Sequence, residues 1–172
     1  MLIYLVGFMG CGKSTSGRQL ARYLNYDYID LDIAFENQEK IKIPDYFEKF
    51  GEDNFRKIEQ NLLHTIDLTK NIVVATGGGT PCFFDNMDYM RSTGITVYLQ
   101  LPSSILCKRL INSHNIRPKI KGKNPEELKN WVDELIKERT LFYKKAHVIM
   151  DARTLTPSML AKVLMPYFSS SS

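Results

Sequence analysis

The stretch Gly7-Phe8-Met9-Gly10-Cys11-Gly12-Lys13-Ser14-Thr15 follows the apolar run Leu2–Val6 and precedes a helical pattern. It fits G-x-x-x-x-G-K-[ST], the pattern of a phosphate-binding loop, which needs a strand before it and a helix after it. The glycines leave bare backbone N–H groups for phosphate oxygens, and the following helix points its positive end at the same anion. Lys13 adds a mobile cation for the β- and γ-phosphates, and Ser14 offers a hydroxyl to Mg²⁺. The alternative is a chance glycine-rich turn, which would have to match every defined position in this context.

Composition and charge limit the classes to which the chain can belong. Its 172 residues are close to the usual size of one domain, so we expect a single domain over residues 1–172. The hydrophobic fraction of 44% and the charged fraction of 24% are those of an ordinary globular protein. A net charge of +4 suits an anionic substrate as well as it suits nucleic acid. Because no compact basic run with interleaved aromatic residues occurs, we expect no nucleic-acid partner.

Cysteine usage and hydropathy predict the compartment. The three cysteines are odd in number and widely spaced, without Cys or His partners at the spacing of metal ligands. This favours a reducing cytoplasm. The first apolar run is too short for a signal peptide, and no segment approaches the length of a membrane span. We therefore expect a soluble cytoplasmic protein without a membrane partner.

Short apolar runs alternate with helical patterns along the chain, which is typical of an α/β fold with a parallel sheet. Strands are predicted at Leu2–Val6, Tyr26–Asp30, Asn71–Thr76, Ile95–Leu101 and His147–Met150. Between the second and third strands, helical patterns at Ile43–Phe50 and Phe55–Ile66 are separated by Gly51-Glu52, and a further helix is predicted over Phe83–Arg91. The expected architecture is a three-layer sandwich, with helices on both faces of a five-stranded parallel sheet.

Two carboxylates follow the second predicted strand. Ligands of an open parallel sheet bind beyond the carboxyl ends of its strands, so Asp30 and Asp32 should lie beside the phosphate-binding loop. One could hold the water shell of Mg²⁺, and the other could accept a hydrogen bond from a substrate hydroxyl. Aspartate also commonly caps helices, so either residue could simply cap the next predicted helix, Ile33–Gln38. The spacing does not choose between these readings.

Two loops could also belong to a site. Gly77-Gly78-Gly79 ends the third strand, and three glycines in a row indicate unusual dihedral angles, close backbone approach to a ligand, or a flexible turn. The segment at about 112–124 contains Arg117 and three lysines. It is either a mobile basic lid that folds over an anion or a solvated charged loop.

These features occur together, in an order that resembles one enzyme family. The features are Gly7–Thr15, Asp30-Leu31-Asp32, Gly51-Glu52 followed by Phe55-Arg56 and Glu59, Ala75–Gly79, Arg117-Pro118, and Glu138-Arg139 with Tyr143. The chain resembles shikimate kinase over nearly its whole length. The resemblance implies transfer of the ATP γ-phosphate to the 3-hydroxyl of shikimate, a step toward chorismate and the aromatic amino acids. It also implies a P-loop fold of the nucleoside monophosphate kinase type, with substrate-binding helices at about 32–62 and a mobile lid at about 112–124.

The resemblance assigns roles to individual residues. ATP would be bound by Gly10, Cys11, Gly12, Lys13, Ser14, Thr15, the lid residue Arg117 and, at the adenine, Arg153. Mg²⁺ would be held by Ser14 and Asp30. Shikimate would be bound by Asp32, Arg56, Gly78, Gly79 and Arg139, the two arginines clamping its carboxylate with planar forks. Catalysis would depend on Lys13, on Asp32 as candidate base, and on Arg117. The enzyme is expected to be a monomer.

The chain departs from the family pattern near the lid. Pro118 is followed by Lys119-Ile120, whereas family members usually have two leucines there. The arginine that often stacks on adenine lies seven residues before the lid arginine, but this position is Leu110 and the nearest arginine is Arg109.

Two rival functions differ from the favoured one. One is a related small P-loop kinase for gluconate or a nucleotide; the paired arginines and the triple glycine argue against it. The other is a nucleotide-binding module without catalysis, against which the presence of Lys13, Ser14, Asp30 and Asp32 argues.

Overall fold

The structure, a computed structural model, describes residues 1–112 and 122–168. Five strands form one sheet in which every pair is parallel, in the order β2-β3-β1-β4-β5. The strands are β1 Leu2–Val6, β2 Asp27–Asp30, β3 Ile72–Ala75, β4 Ile95–Gln100 and β5 Val148–Asp151. All five predicted strands are present, each within one residue of its predicted ends, and the α/β prediction is confirmed.

In the described part of the chain, seven α-helices connect and flank the strands. They are α1 Lys13–Leu24, α2 Leu31–Glu39, α3 Ile43–His64, α4 Asn86–Thr93, α5 Ser103–Ile111, α6 Pro125–Tyr143 and α7 Pro157–Phe168. Among the described residues, no helix combines the length and the apolar character that crossing a membrane requires.

The central strand determines where the phosphate-binding loop lies. Every residue of β1 is buried, because β3 and β4 pair with its two edges and helices cover both faces of the sheet. A strand buried on both faces is expected to be continuously apolar, as Leu2–Val6 is. The chain leaves β1 at the carboxyl edge of the sheet, so the loop that follows occupies the usual ligand position of open α/β folds.

The predicted break between two helices is narrower than the sequence indicated. Helix α3 runs through it, and only Gly51 has non-helical dihedral angles, with φ 79° and ψ 168°. Glu52 is helical again. The aromatic side chains of Phe35, Tyr46 and Phe55 pack together on α2 and α3, forming a small cluster apart from the main core.

The predicted helix over Phe83–Arg91 is wrong at its start. Residues Thr80–Cys82 form a short 3-10 turn, and α4 begins only at Asn86. Phe84 adopts a left-handed φ of 51°, which a helix cannot continue through. The buried amide of Asn86 donates to the carbonyl of Thr80 at 2.9 Å and fixes the turn.

A histidine joins the last two strands at the edge remote from the loop. The backbone N–H of Thr96 donates to His147 Nδ1 over 3.2 Å, and the backbone N–H of His147 donates to Thr96 Oγ1 over 3.0 Å. Because Nδ1 accepts a hydrogen bond, this contact requires an uncharged ring. Burial lowers the pKa of His147, and the charge of Arg91 lowers it further.

This contact predicts that stability falls as the solution is acidified. The unfolded chain takes up a proton near the ordinary histidine pKa of about 6.5, whereas the folded ring resists it. Between about pH 7.5 and about pH 5.5 the wild type should therefore lose roughly 1–2 °C more of its melting temperature than His147→Gln does. Thermal unfolding at both pH values measures this difference. His64→Gln, which changes a histidine outside this contact, should behave like the wild type; equal pH dependence in His147→Gln would refute the assignment.

Candidate active site

The loop between β1 and α1 has the backbone geometry that binding an anion requires. Gly10 has a φ of 80° and Gly12 a φ of 104°, a region that is costly for residues with a side chain. Gly12 precedes the first helical residue, Lys13, so the positive end of α1 faces the loop. The two glycines are therefore required by the shape of the loop.

Lys13 is buried and lies against its own loop. Its Nζ donates to the carbonyl oxygens of Gly7 at 2.8 Å and Phe8 at 3.0 Å, and lies 3.8 Å from Cys11 Sγ. The backbone N–H of Cys11 donates to the Phe8 carbonyl at 3.2 Å, which closes the turn. The loop thus holds an ammonium group at the point where the sequence predicts phosphate binding.

A cavity of about 340 Å³ opens at this loop. It is lined by Met9, Gly10, Gly12, Lys13, Ser14, Thr15, Asp30, Asp32, Thr76, Gly78 and Arg109. Loop residues, both carboxylates after β2 and a glycine after β3 therefore meet in one space. A slightly larger cavity, of about 400 Å³, lies beside β2 and α3, but it contains none of the predicted site residues, so size alone does not identify the site.

Asp30 both caps a helix and faces the cavity, so the two readings of the sequence are compatible. Its Oδ1 accepts from the backbone N–H groups of Asp32 at 3.1 Å and Ile33 at 3.4 Å, which makes it the N-cap of α2. Its Oδ2 accepts from the Tyr28 hydroxyl at 3.2 Å. Ser14 and Asp30 line the same cavity, and their side chains carry the hard oxygen donors that Mg²⁺ prefers.

The triple glycine leaves room for polar side chains. None of the three has a positive φ, so unusual dihedral angles are not the reason for them. A Cβ on Gly77 would lie 2.9 Å from Asp32 Oδ1 and 2.7 Å from Glu59 Oε1, and a Cβ on Gly79 would lie 2.5 Å from Arg56 Nη2. Any side chain here would displace groups that the sequence predicts to bind substrate.

Arg56 is buried, although a helix charge next to Phe55 is most often solvated. Only 8% of its side-chain surface is exposed, because Nη1 pairs with Glu59 at 2.7 Å and Nη2 pairs with Glu52 at 2.8 Å. The Phe83 ring lies over the guanidinium, 4.1 Å from Cζ to the ring centroid. The buried Nε has no hydrogen-bond partner in the described part of the chain. Arg56 is thus held in one orientation with a donor still to be satisfied.

Glu59 is a site residue to which sequence reasoning gave no role. Burial raises its pKa, an effect opposed by Arg56 and by hydrogen bonds and reinforced by the nearby charge of Asp32. Thr80 Oγ1 donates to Glu59 Oε1 at 2.5 Å, so this carboxylate links α3 to the turn after β3. The available signal was its spacing from Arg56, since side chains three positions apart meet on one helix face.

Arg139, on α6, also lies beside the triple glycine. Its Nη1 is buried without a hydrogen-bond partner among residues 1–112 and 122–168, and it lies 3.5 Å from where a Cβ on Gly78 would be. One turn later, the Tyr143 hydroxyl donates to the Gly78 carbonyl at 2.5 Å and ties α6 to the triple glycine. Burial raises the pKa of Tyr143, while the charge of Arg139 lowers it. Arg56 and Arg139 therefore flank Gly78 and Gly79, each with an unsatisfied donor.

The structure shows fewer contacts for the arginines at the nucleotide end of the site. Arg109 Nη1 donates to the Gly10 carbonyl at 3.1 Å and lines the cavity, whereas Leu110 is buried in the core. Arg153 lies after β5 in a pair with Asp151, in which Nε donates at 2.8 Å and Nη2 at 2.5 Å, and its contact with adenine stays a prediction. Arg117 and most of the predicted lid lie outside the described residues.

Several known proteins are similar to this chain in sequence and in fold. A sequence model of the shikimate kinase family matches residues 9–167. The chain is 45% identical to the shikimate kinase of Azobacteroides pseudotrichonymphae over 165 residues, which cover 95% of this chain and 97% of that one. A crystal structure of shikimate kinase from Bacteroides thetaiotaomicron superposes with a TM-score of 0.90 at 36% identity and covers 98% of each chain. Shikimate kinase from Acinetobacter baumannii, solved in complex with shikimate, gives a TM-score of 0.85 at 35% identity and covers 99% of this chain and 94% of that one.

Proposed function

The chain belongs to the shikimate kinase family, and on that premise we propose how its cavity transfers the γ-phosphate of ATP to the 3-hydroxyl of shikimate. The observation that carries the proposal is the pair of arginines beside the triple glycine, each of which has a buried donor nitrogen without a partner in the described chain. Arg56 Nε and Arg139 Nη1 are buried donors without partners in the described chain, and a buried unsatisfied donor is costly unless a ligand completes it. A carboxylate is the group that planar guanidinium forks bind best.

The acceptor hydroxyl is oriented by Asp32, which lies beside Gly77 at the start of the triple glycine. A substrate whose carboxylate is held by the two arginines extends past Gly78 toward Asp32, which lines the phosphate cavity. Asp32 accepts the hydrogen of the attacking hydroxyl and directs its oxygen at the phosphorus. Because the transition state of phosphoryl transfer is loose, this orientation contributes more than strong basicity would.

The phosphates are held by the loop. The backbone around Gly10 and Gly12 and the positive end of α1 bind their oxygens, and the Lys13 ammonium exchanges its carbonyl partners for phosphate. Ser14 and Asp30 are the residues that would hold Mg²⁺, which when bound neutralises charge on the β- and γ-phosphate oxygens. Arg117 would add a further cation from the lid.

Three finer expectations accompany the proposal. The enzyme depends on Mg²⁺. We assign only the oxygens of Ser14 and Asp30 to the ion, which is typical of Mg²⁺ because it completes its coordination shell with water and phosphate oxygens. It acts as a monomer, because the groups assigned to the reaction all come from one chain. It works in the cytoplasm, in keeping with free thiols at Cys11, Cys82 and Cys107.

The direct test is ADP release from Mg-ATP with each of three acceptors: shikimate, gluconate and a nucleoside monophosphate. We expect ADP to form only with shikimate, because its rigid ring holds a carboxylate for the two arginines and hydroxyls for Asp32 at fixed positions. A nucleoside monophosphate lacks the carboxylate, and gluconate lacks the ring. ADP formation with another acceptor would overturn the substrate assignment. Nucleotide binding without turnover on any acceptor would instead support a non-catalytic module.

Arg109 should hold the nucleotide and leave shikimate unaffected. Its guanidinium donates a hydrogen bond to the Gly10 carbonyl of the loop. We expect the ribose and base of ATP to extend from the bound phosphates past this point. Arg109→Ala should raise the KM for ATP by roughly 5- to 30-fold, the loss of one cationic contact with an aromatic base, with little change in the KM for shikimate. Lys108→Ala, which removes the neighbouring exposed charge on α5, is the control. Equal effects from the two variants would assign Arg109 to general electrostatic attraction.

A further inference from the structure

The hydroxyl of Tyr28 lies between Ser14 and Asp30, two residues that line the cavity. It is 3.2 Å from the carbonyl oxygen of Ser14, at the start of α1, and 3.2 Å from Oδ2 of Asp30, at the end of β2. A phenol has one hydrogen to donate, so the two acceptors share it. Tyr28 thus connects α1, which carries the predicted magnesium ligand Ser14, to Asp30, which is the other predicted magnesium ligand.

The two oxygens of Asp30 are fixed by different parts of the chain. Oδ1 is held by the backbone N–H groups that it caps at the start of α2, which orient the carboxylate in one direction only. Oδ2 receives its hydrogen bond from Tyr28. Rotation of the carboxylate would break the Tyr28 contact, so the phenol restricts which lone pairs face the cavity.

The Tyr28 ring is held firmly enough to act in this way. A Cβ on Gly17 would lie 2.9 Å from its Cε2, which shows that α1 packs closely on the ring edge. The guanidinium carbon of Arg18 lies 5.4 Å from the ring centroid, within the range of a cation–π contact. The ring therefore has little freedom, and its hydroxyl is presented to Ser14 and Asp30 by packing.

We propose that Tyr28 is a positioning residue for the magnesium-supporting carboxylate, aligning Asp30 with the Ser14 end of α1. This inference rests on the proposed function, which assigns Ser14 and Asp30 to the metal. Groups that orient a metal-supporting side chain commonly change metal affinity by about 10- to 100-fold when they are lost. Because the Asp30 contact would act through water, the lower end of that range applies to Tyr28.

Calorimetric titration with ADP, in Mg²⁺ and again in EDTA, tests the proposal without relying on activity. Tyr28→Phe keeps the ring and its packing and removes the hydroxyl alone. We expect the gain in ADP affinity produced by Mg²⁺ to fall by about tenfold, while metal-free ADP binds as it does to the wild type. The control is Tyr26→Phe, which removes a phenol near the opposite end of β2 whose hydroxyl contacts only the sulfur of Met1, at 4.0 Å, among the hydrogen bonds of the described chain.

Each outcome decides the question. Equal magnesium dependence in Tyr28→Phe and Tyr26→Phe would overturn the proposal, as would a loss of metal-free ADP binding as large as the loss with Mg²⁺. Adding Tyr28→Phe to Asp30→Asn should cause no further loss, because the hydroxyl acts through that carboxylate; an additive loss would also overturn it. If shikimate proved not to be the acceptor, magnesium-linked ADP binding by the wild type would remain measurable, so failure of the proposed function is distinguishable.

Discussion

Asp32→Asn should lower kcat by at least about a hundredfold while the protein stays folded and binds both substrates. In the mechanism we propose, the carboxylate orients the attacking hydroxyl and accepts its proton as the phosphoryl group is transferred, and assistance of this kind contributes about 10²- to 10⁴-fold to a rate. An amide of the same shape presents an N–H donor or a weaker acceptor at that place. The fold should tolerate the change because Asp32 lies near the buried carboxylate of Glu59, and removing its charge relieves a repulsion.

Steady-state kinetics with thermal unfolding and substrate titration make this measurement. Asp53→Asn, which changes an exposed carboxylate on α3, should retain the wild-type rate and serves as the matched control. A near-normal kcat in Asp32→Asn would remove this residue from the mechanism. A large fall in melting temperature would instead assign it to the fold.

Arg139→Ala should raise the KM for shikimate by about 30-fold or more and leave the KM for ATP within about threefold. Truncating one member of a buried charge pair costs about 2–5 kcal/mol, and each 1.4 kcal/mol is about tenfold in affinity. We expect this selectivity because Arg139 Nη1 lies beside Gly78, whereas we assign the phosphates to the loop residues Gly10, Gly12 and Lys13.

Two further variants separate charge from shape at this position. Arg139→Lys keeps the cation but loses the planar fork, so most of the defect should persist. Lys137→Ala removes an exposed charge from the same helix and should have no effect. Equal losses for shikimate and ATP in Arg139→Ala would contradict the assignment to the carboxylate.

The fold was predictable because strong local signals agree with the tertiary structure. Loop Gly7–Thr15 requires a strand before it and a helix after it, and each apolar run is long enough to be a buried strand. The start of α4 was missed because Phe84 adopts a left-handed conformation and the buried Asn86 amide bonds to Thr80. Neither feature changes the spacing of the hydrophobic residues. The sequence pattern therefore predicts one continuous helix over Phe83–Arg91, whereas the observed helix begins at Asn86.

Single side chains of the site were harder to predict than its backbone. The loop and the carboxylates after β2 have fixed spacing in sequence, and both line the cavity. The environment of Arg56 depends on Phe83 and Gly79, which are far along the chain, so only the resemblance to a family identified it as more than a surface charge. Glu59 and Tyr28 also contact residues distant in sequence, Thr80 and Ser14, and only folding brings these residues together.

The crowding around the triple glycine also bears on how this enzyme could escape inhibition. A substitution at Gly77 or Gly79 would push on Asp32, Glu59 or Arg56 before it touched any bound compound. A compound anchored on the backbone of this turn, rather than on a replaceable side chain, would therefore bind where few resistance mutations preserve turnover. The turn to which we assign substrate binding is therefore a part of the cavity where substitution is costly to the organism.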